Sequence, residues 1–185
     1  MTKLDIWNRA LALLPHDRPV ESEDEESTEA LRCRQNWDVA RKSVLTAREW
    51  GWAAQEAPAC CGANATGGWF CFRPPEALLV IGLYTLDGRR VASDPINGGM
   101  RAREPFSVVR YIADETDPDR WPPAFQEAVA AELAARIAPV MTDNPARSAE
   151  LRQAAMAALE EAGRQDAQET AGDGGDPLVF VHARR

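Results

Sequence analysis

The cysteines are the residues whose type and spacing come closest to metal or redox chemistry. Four are present, and Cys60, Cys61 and Cys71 lie together in the stretch ACCGANATGGWFC. Adjacent cysteines lack the C-x2-C spacing with which two thiolates hold one tetrahedral zinc ion. Both histidines lie far from this stretch in the sequence. We therefore expect no metal site and free thiols in a loop and strand of an intracellular protein. A small metal-binding or enzymatic protein that uses the three cysteines is an alternative.

The remaining histidine and acidic side chains form no recognisable catalytic pattern. His16 lies in the turn LPHDRP with no nearby nucleophile. Asp114, Asp117 and Asp119 share one loop that lacks the twelve-residue pattern of an EF-hand, so turn formation and helix N-terminal charge explain them. Phosphate-binding, serine-hydrolase and zinc-protease motifs are absent from the sequence. The sequence predicts no catalytic residues, no cofactor and no enzymatic activity.

Composition limits the partners of the chain. The net charge of −8 argues against DNA binding through a broad basic face, because phosphates are neutralised by Lys and Arg. No apolar run approaches the roughly 20 residues of a membrane span. The N-terminal stretch MTKLDIWNRALALLP reads as an amphipathic helix without the apolar region of a signal peptide. We expect synthesis in the cytoplasm and no membrane partner.

Two helices are predicted before a β-rich segment. The first covers residues 3–14 and ends at Pro15, and the second covers residues 27–53. The second helix has a seam of mostly small residues around Trp37, which would let another helix approach closely. Trp37, in the middle of this seam, is therefore predicted to be buried. Between them, six of the nine residues 21–29 are acidic, which indicates a solvated loop or a surface that faces a partner.

Two more helices are predicted after the β-rich segment. The third starts near Pro123, and Pro139 is expected to kink it or end it early. The fourth starts with Asn144 as N-cap and Pro145 as its first residue. Alanine dominates faces of the second and third helices, so we expect them to pack closely in a four-helix bundle.

The β-rich segment is predicted as one small antiparallel sheet with strands at residues 69–72, 77–86, 89–93 and 106–113. Asp87 and Gly88 predict a two-residue hairpin turn with positive φ at the glycine. Arg89 and Arg90 beside this turn are a possible contact for another subunit or protein, although a solvated hairpin tip is the plainer interpretation. Residues 94–99, DPINGG, are predicted to form a second turn.

The predicted fold class is therefore α+β: a four-helix bundle with a small antiparallel insertion between helices 2 and 3. The predicted domain covers residues 1–169, with the insertion at about 69–113, and residues 170–185 form an extended, flexible C-terminal arm. The end of the arm is apolar and favours a β-strand, so we expect it to join a sheet edge on another chain, or to fold back on its own sheet. The predicted contact residues of the arm are Leu178, Val179, Phe180, Val181, Arg184 and Arg185.

The order of several short motifs resembles the tail tubular protein A family, the head–tail adaptors of short-tailed phages. One motif is ESTEALRCRQNWDVARKSVLTAREWGWA, residues 26–53, and another is YIADETDPDRWPPAFQEAVAAELAARIA, residues 111–138. Between them come FCFRPPEALLVIGLY and DGRRV, and IWNRALALLP lies near the N-terminus. The resemblance covers residues 4–168, and no family pattern is recognisable in the tail from Thr170.

The resemblance implies a structural protein of the virion head–tail junction, assembled in the bacterial host cytoplasm. Such adaptors form a ring of twelve subunits beneath the portal protein, extend the DNA channel and provide a platform for the next tail protein, a nozzle or tail tube. DNA would slide past an acidic ring without sequence-specific binding. The resemblance implies that the arm joins a sheet edge of a neighbouring subunit or of the portal protein, in agreement with adaptors of similar phages, and that Arg89 and Arg90 contact a neighbouring subunit or the next tail protein. A cytosolic protein–protein adaptor or regulator with no role in a virion is the alternative from another functional class.

Overall fold

The computed structural model describes residues 1–15, 18–59, 69–72, 77–96 and 99–172. Two compact units can be distinguished in it. The helical unit comprises Met1–Arg48 and Thr116–Gln168, and the β unit contains Glu49–Glu115. The helices of the described residues are α1 (Lys3–Leu11), α2 (Thr28–Thr46), α3 (Pro123–Met141) and α4 (Pro145–Gly172), with a 3-10 turn at Pro118–Arg120. None of these helices is both long and apolar enough to cross a lipid bilayer.

Helix α3 is the centre of the helical unit and packs against both α1 and α2. Its buried residues include Phe125, Val129, Leu133 and Ile137, which lie at i+4 spacing along one ridge. Alanines on its other faces are buried as well, from Ala128 to Ala138. A helix that is apolar over most of its surface is enclosed by other elements on those sides, and small side chains let those elements come close.

The β unit is built from two antiparallel sheets. One has the strand order β1-β7-β3-β4 and the other β2-β6-β5. Residues from both sheets, including Leu83, Val109 and Ala102, form one buried apolar cluster. The sheets therefore pack against each other and enclose a core within this unit. The strands are β1 (Ala54–Pro58), β2 (Phe70–Phe72), β3 (Ala77–Tyr84), β4 (Arg90–Val91), β5 (Ser93–Ile96), β6 (Gly99–Ala102) and β7 (Val108–Ala113).

The predicted four-helix bundle with a small insertion is wrong, although the α+β class is right. About 21% of the described residues are in strands, and these strands form two sheets with a core of their own rather than one small sheet. Helix α4 also departs from a bundle helix, because it buries only a narrow line of side chains along its length. The buried residues of that line include Ser148, Leu151, Ala155 and Ala162. Residues on the other faces of α4 are largely exposed.

Several helix ends differ from the prediction. Helix α1 ends at Leu11 and α2 at Thr46, both before the predicted ends, while α3 continues past Pro139 to Met141. The start of α4 is confirmed, since Oδ1 of Asn144 accepts hydrogen bonds from the backbone N–H groups of Ala146 and Arg147. Helix α4 continues to Gly172, beyond residue 169 at which the domain was predicted to end.

Candidate functional site

The described cysteines do not form a reactive or metal-binding cluster. Cys33 is buried on α2, and burial, with a smaller contribution from the carboxylate of Glu29, raises the pKa of its thiol to about 12. Cys71 is half-buried on β2, and Cys60 and Cys61 lie outside the described residues. Among the described residues, no three His, Cys, Asp or Glu side chains are grouped closely enough to hold a metal ion.

The raised pKa of Cys33 predicts a thiol that does not react in the folded chain. In a variant with Cys60, Cys61 and Cys71 changed to Ser, we expect no modification by a thiol reagent at pH 8, since only the thiolate is nucleophilic. Modification should become complete in denaturant. Restoring Cys71 alone provides the control, because this half-buried thiol should react in the folded state. Rapid reaction of Cys33 in the folded chain would contradict the burial.

The segment after β7, which contains Asp114, Asp117 and Asp119, forms a turn. Oδ1 of Asp117 accepts a hydrogen bond from the backbone N–H of Asp119 at 3.1 Å and caps the 3-10 turn. The buried amide of Gln126 then donates to the backbone oxygens of Pro118 and Trp121, at 2.9 and 3.0 Å. This segment positions the start of α3, in agreement with the turn-forming role predicted for Asp117.

Four aromatic side chains meet in the helical unit. The indole ring of Trp37 on α2 stacks on that of Trp121, with ring centres 5.8 Å apart and an angle of 19° between the planes. Trp7 on α1 meets Trp37 edge to face at 6.4 Å, and Phe125 meets Trp121 at 5.3 Å. The structure thus brings together residues from the N-terminal motif, the 26–53 motif and the 111–138 motif. The prediction that Trp37 is buried is confirmed.

The acidic stretch before α2 is attached to the helical unit through its backbone. We define the acidic loop as residues 21–26, five of which are acidic. The guanidinium of Arg34 donates hydrogen bonds to the backbone oxygens of Glu23 and Glu25. Nζ of Lys3 forms an ion pair with Glu23 at 2.6 Å and lies 5.0 Å from the ring centre of Trp7. The shape of the loop is therefore fixed by these contacts.

Some carboxylates of the acidic loop are directed to structural contacts and others are not. Oε2 of Glu25 accepts a hydrogen bond from the backbone N–H of Glu21, and this bond lowers the pKa of Glu25. The residues Glu21, Asp24 and Glu26 are exposed, and their side chains make no ion pair within the described part of the chain. The loop therefore presents negative charge on an ordered backbone.

The predicted hairpin turn forms, but with a longer loop. Gly88 has the predicted positive φ, 82°. The loop has three residues rather than two, because the backbone N–H of Thr85 donates to the oxygen of Arg89 and the N–H of Gly88 donates to the oxygen of Thr85. The Thr85 hydroxyl donates to the carboxylate of Asp87 and accepts from the N–H of Arg89, which stabilises the longer loop. The bond from Thr85 lowers the pKa of Asp87.

Both arginines of the hairpin make contacts within the β unit. The Arg89 guanidinium forms an ion pair with Glu104 at 2.7 Å, and this hydrogen bond raises the pKa of Arg89. The Arg90 side chain passes over Gly82 and donates to the backbone oxygen of Ile81 at 2.7 Å. The Arg89 side chain is 57% exposed. The predicted external contact therefore remains a prediction, and it concerns Arg89 more than Arg90. The predicted contact residues of the arm, Leu178 to Val181 with Arg184 and Arg185, lie outside the described residues.

A surface that the sequence reasoning missed lies on the sheet β2-β6-β5. The guanidinium groups of Arg101 and Arg103 lie 4.3 and 3.8 Å from the ring centre of Trp69. We call these three side chains the arginine face. The signal in the sequence was the alternation in GMRAR, which puts the two arginines on the same side of a strand. Because the pattern of residues 94–99 predicts a turn, that strand was not predicted.

No protein family model matches this sequence, and no curated protein is significantly similar to it.

Proposed function

We propose that this chain is a structural subunit of a phage head–tail connector. It would assemble as a ring beneath the portal protein, extend the DNA channel and offer a platform to the next tail protein. The subunit has no catalytic role in this proposal. The C-terminal arm, with Leu178 to Val181, joins a sheet edge of a neighbour or of the portal protein.

The observation that carries the proposal is the aromatic cluster of the helical unit. Trp37 belongs to one motif of the resemblance, and Trp121 and Phe125 belong to another on the far side of the β-rich segment in the sequence. The ring of Trp37 stacks on that of Trp121, so the motifs act together in one core. Motifs that meet in one core support a fold like that of the adaptor family, and the function is proposed from that fold by analogy.

The charge of the chain agrees with a channel that DNA passes through. The net charge is −8, and phosphate groups bind to protein surfaces mainly through Lys and Arg. A ring of such subunits would repel the DNA backbone and let it slide during packaging and ejection. The proposal includes no sequence-specific binding of DNA.

Particle formation tests the function directly. Purified full-length chain is examined by size exclusion with light scattering and by negative-stain microscopy, alone and mixed with a portal protein from the same genome. The proposal expects closed rings in at least one of these samples. A chain that stays monomeric in both and never joins the portal protein would overturn it and favour a cytosolic adaptor or regulator.

Charge reversal at Arg89 tests the hairpin contact. The variant Arg89→Glu should leave the melting temperature nearly unchanged, because its ion pair with Glu104 is exposed to solvent. Ring formation or joining of the next tail protein should nevertheless decrease, as measured by light scattering and microscopy. Glu104→Gln is the matched control, since it removes the same ion pair and keeps the arginine. If Arg89→Glu assembles like the control, the hairpin contact is rejected.

Truncation after Gly172 tests the arm. Helix α4 ends at Gly172, so the cut removes the arm and keeps the helix intact. We expect an unchanged melting temperature and loss of joining to the portal protein, measured by calorimetry and co-sedimentation. A markedly lower melting temperature of the monomer would show instead that the tail folds back on its own unit.

A further inference from the structure

Strand β3 is paired along its whole length on one side and only at its end on the other. On the first side it pairs with β7, from Ala77 to Tyr84. On the second side β4 pairs with Leu83 and Tyr84. Within the described ranges, no other strand lies beside β3 on that side, and no backbone hydrogen bond from a loop reaches residues 77–82. These residues therefore form an open sheet edge.

The Arg90 side chain limits this edge at the end nearer β4. It passes over Gly82, where an added Cβ would lie 3.1 Å from the Arg90 Nε. Nη2 of Arg90 then donates a hydrogen bond to the backbone oxygen of Ile81 at 2.7 Å. A side chain thus takes the place of a backbone donor at Ile81. The part of the edge that remains open is residues 77–80, which we call the β3 edge.

The other outer strands of the described sheets carry features that discourage pairing, and the β3 edge does not. Strand β1 contains Glu56 and ends in Pro58, and β5 contains Asp94 and Pro95. Charge and proline on an edge strand protect it against pairing with a further chain. Strands β2 and β4 have only three and two residues. The β3 edge has the sequence ALLV, with neither charge nor proline, and its side chains are half-buried.

A short segment of the same chain matches this edge. Residues 178–181, LVFV, follow Pro177, and Val and Phe are enriched in β-strands. Two register shifts in the pairing of β3 with β7 interrupt the regular ladder, so a short segment fits the β3 edge better than a long strand. Fully extended, residues 173–185 span roughly 40 Å, more than the diameter of a small domain. The segment can therefore leave one subunit and reach the next.

We propose that residues 178–181 of one copy add as a strand to the β3 edge of a second copy. Backbone hydrogen bonds hold such an added strand, and its alternate side chains supply apolar contact. Because the segment and the edge are different surfaces, the contact is heterologous, and its repetition generates a ring or an open chain. This inference rests on the proposed function as a ring subunit and names the edge that the arm joins.

Cross-linking between two differently marked chains tests the contact. Both are full-length chains of the cysteine-to-serine variant described above, in which Cys33 is buried. One carries Leu79→Cys and the other Val179→Cys. When they are mixed, a short bis-maleimide reagent, which tolerates a shift of register, should give a dimer with one chain of each kind. Leu86→Cys in place of Leu79→Cys is the control, since Leu86 is 74% exposed but lies outside the β3 edge, and its dimer yield should be about tenfold lower.

Proline substitution within the segment tests the backbone hydrogen bonds. Successive strand residues direct their N–H groups to opposite sides, so Val179→Pro with Phe180→Pro removes a donor from the side that faces β3, whichever side that is. Self-association in sedimentation velocity should weaken about tenfold or more, while the melting temperature of the monomer stays unchanged. His182→Pro with Ala183→Pro is the matched control, because it places two prolines just beyond the segment and should associate normally.

Each outcome decides for or against the contact. Mixed dimers together with weakened association of the Val179 and Phe180 variant support it. Absence of mixed dimers, or association unchanged by those prolines, overturns it. If Leu79→Cys and Val179→Cys link only within one chain that carries both, the segment folds back on its own sheet. If Val179→Cys links only to added portal protein, the portal is the partner, and both results overturn the contact. The ring proposal then stands if the natural chain still assembles, and it fails separately if the natural chain does not.

Discussion

Replacement of Trp37 by alanine is expected to lower the free energy of unfolding by about 3–5 kcal/mol, the cost of deleting a large buried aromatic side chain. Trp37 is 6% exposed and lies between the rings of Trp7 and Trp121. Its removal leaves a cavity between three elements, α1, α2 and the start of α3. These elements cannot all close on the space together, so the loss should fall in the upper part of the range for core substitutions.

Urea denaturation followed by circular dichroism measures this loss. Val39→Ala is the matched control on the same helix, because Val39 is 52% exposed and its truncation should change stability by no more than about 0.5 kcal/mol. A loss below about 1 kcal/mol for Trp37→Ala would contradict the packing of the aromatic cluster. It would also weaken the proposed function, since that cluster joins the motifs on which the resemblance depends.

Helix positions were predictable where the signal lay within a few residues. Asn144 and Pro145 mark the start of α4, and the spacing of Phe125, Val129 and Leu133 defines the buried ridge of α3. Each of these signals acts through the local backbone or through one face of one helix. Trp37 was placed correctly for the same reason, because the side chains around it in α2 alternate between small and polar.

The end of α2 was not predictable from local sequence. Residues 54–58, AQEAP, carry no alternation of apolar and polar side chains and end in proline, yet they form the edge strand β1. Their pairing partner is β7, with Ala54 opposite Ile112 and Pro58 opposite Val108. Hydrogen bonds to a strand that is distant in the sequence decide this conformation, so propensity was overridden by tertiary structure.

The arginine face was missed for a related reason. Trp69 and Arg101 are far apart in the sequence and become neighbours only because β2 pairs with β6. The residues 94–99 contain Pro95 and three successive turn-forming residues, which favoured a turn over the strands that flank it. The acidic loop was visible in the sequence, but the contacts of Arg34 and Lys3 that order it were not.

Replacement of Leu83 by alanine is expected to destabilise the chain by about 2–5 kcal/mol, the cost of truncating a buried leucine. Leu83 is 0% exposed, and its strand neighbours are Val91 on β4 and Val109 on β7. It contributes to the cluster that both sheets share, so its loss opens a cavity that neither sheet can fill alone. A small β insertion without its own core would have no site at which one leucine could cost so much.

Leu86 provides the control for this experiment within the same hairpin. It is the same residue type three positions later and is 74% exposed, so Leu86→Ala should change the free energy of unfolding by no more than about 0.5 kcal/mol. Both variants are compared by urea denaturation monitored through the circular dichroism of the full-length chain. A large difference between them shows that the β unit is held by a core between its two sheets. Equally small losses would contradict that core and show that the β unit is a solvated insertion.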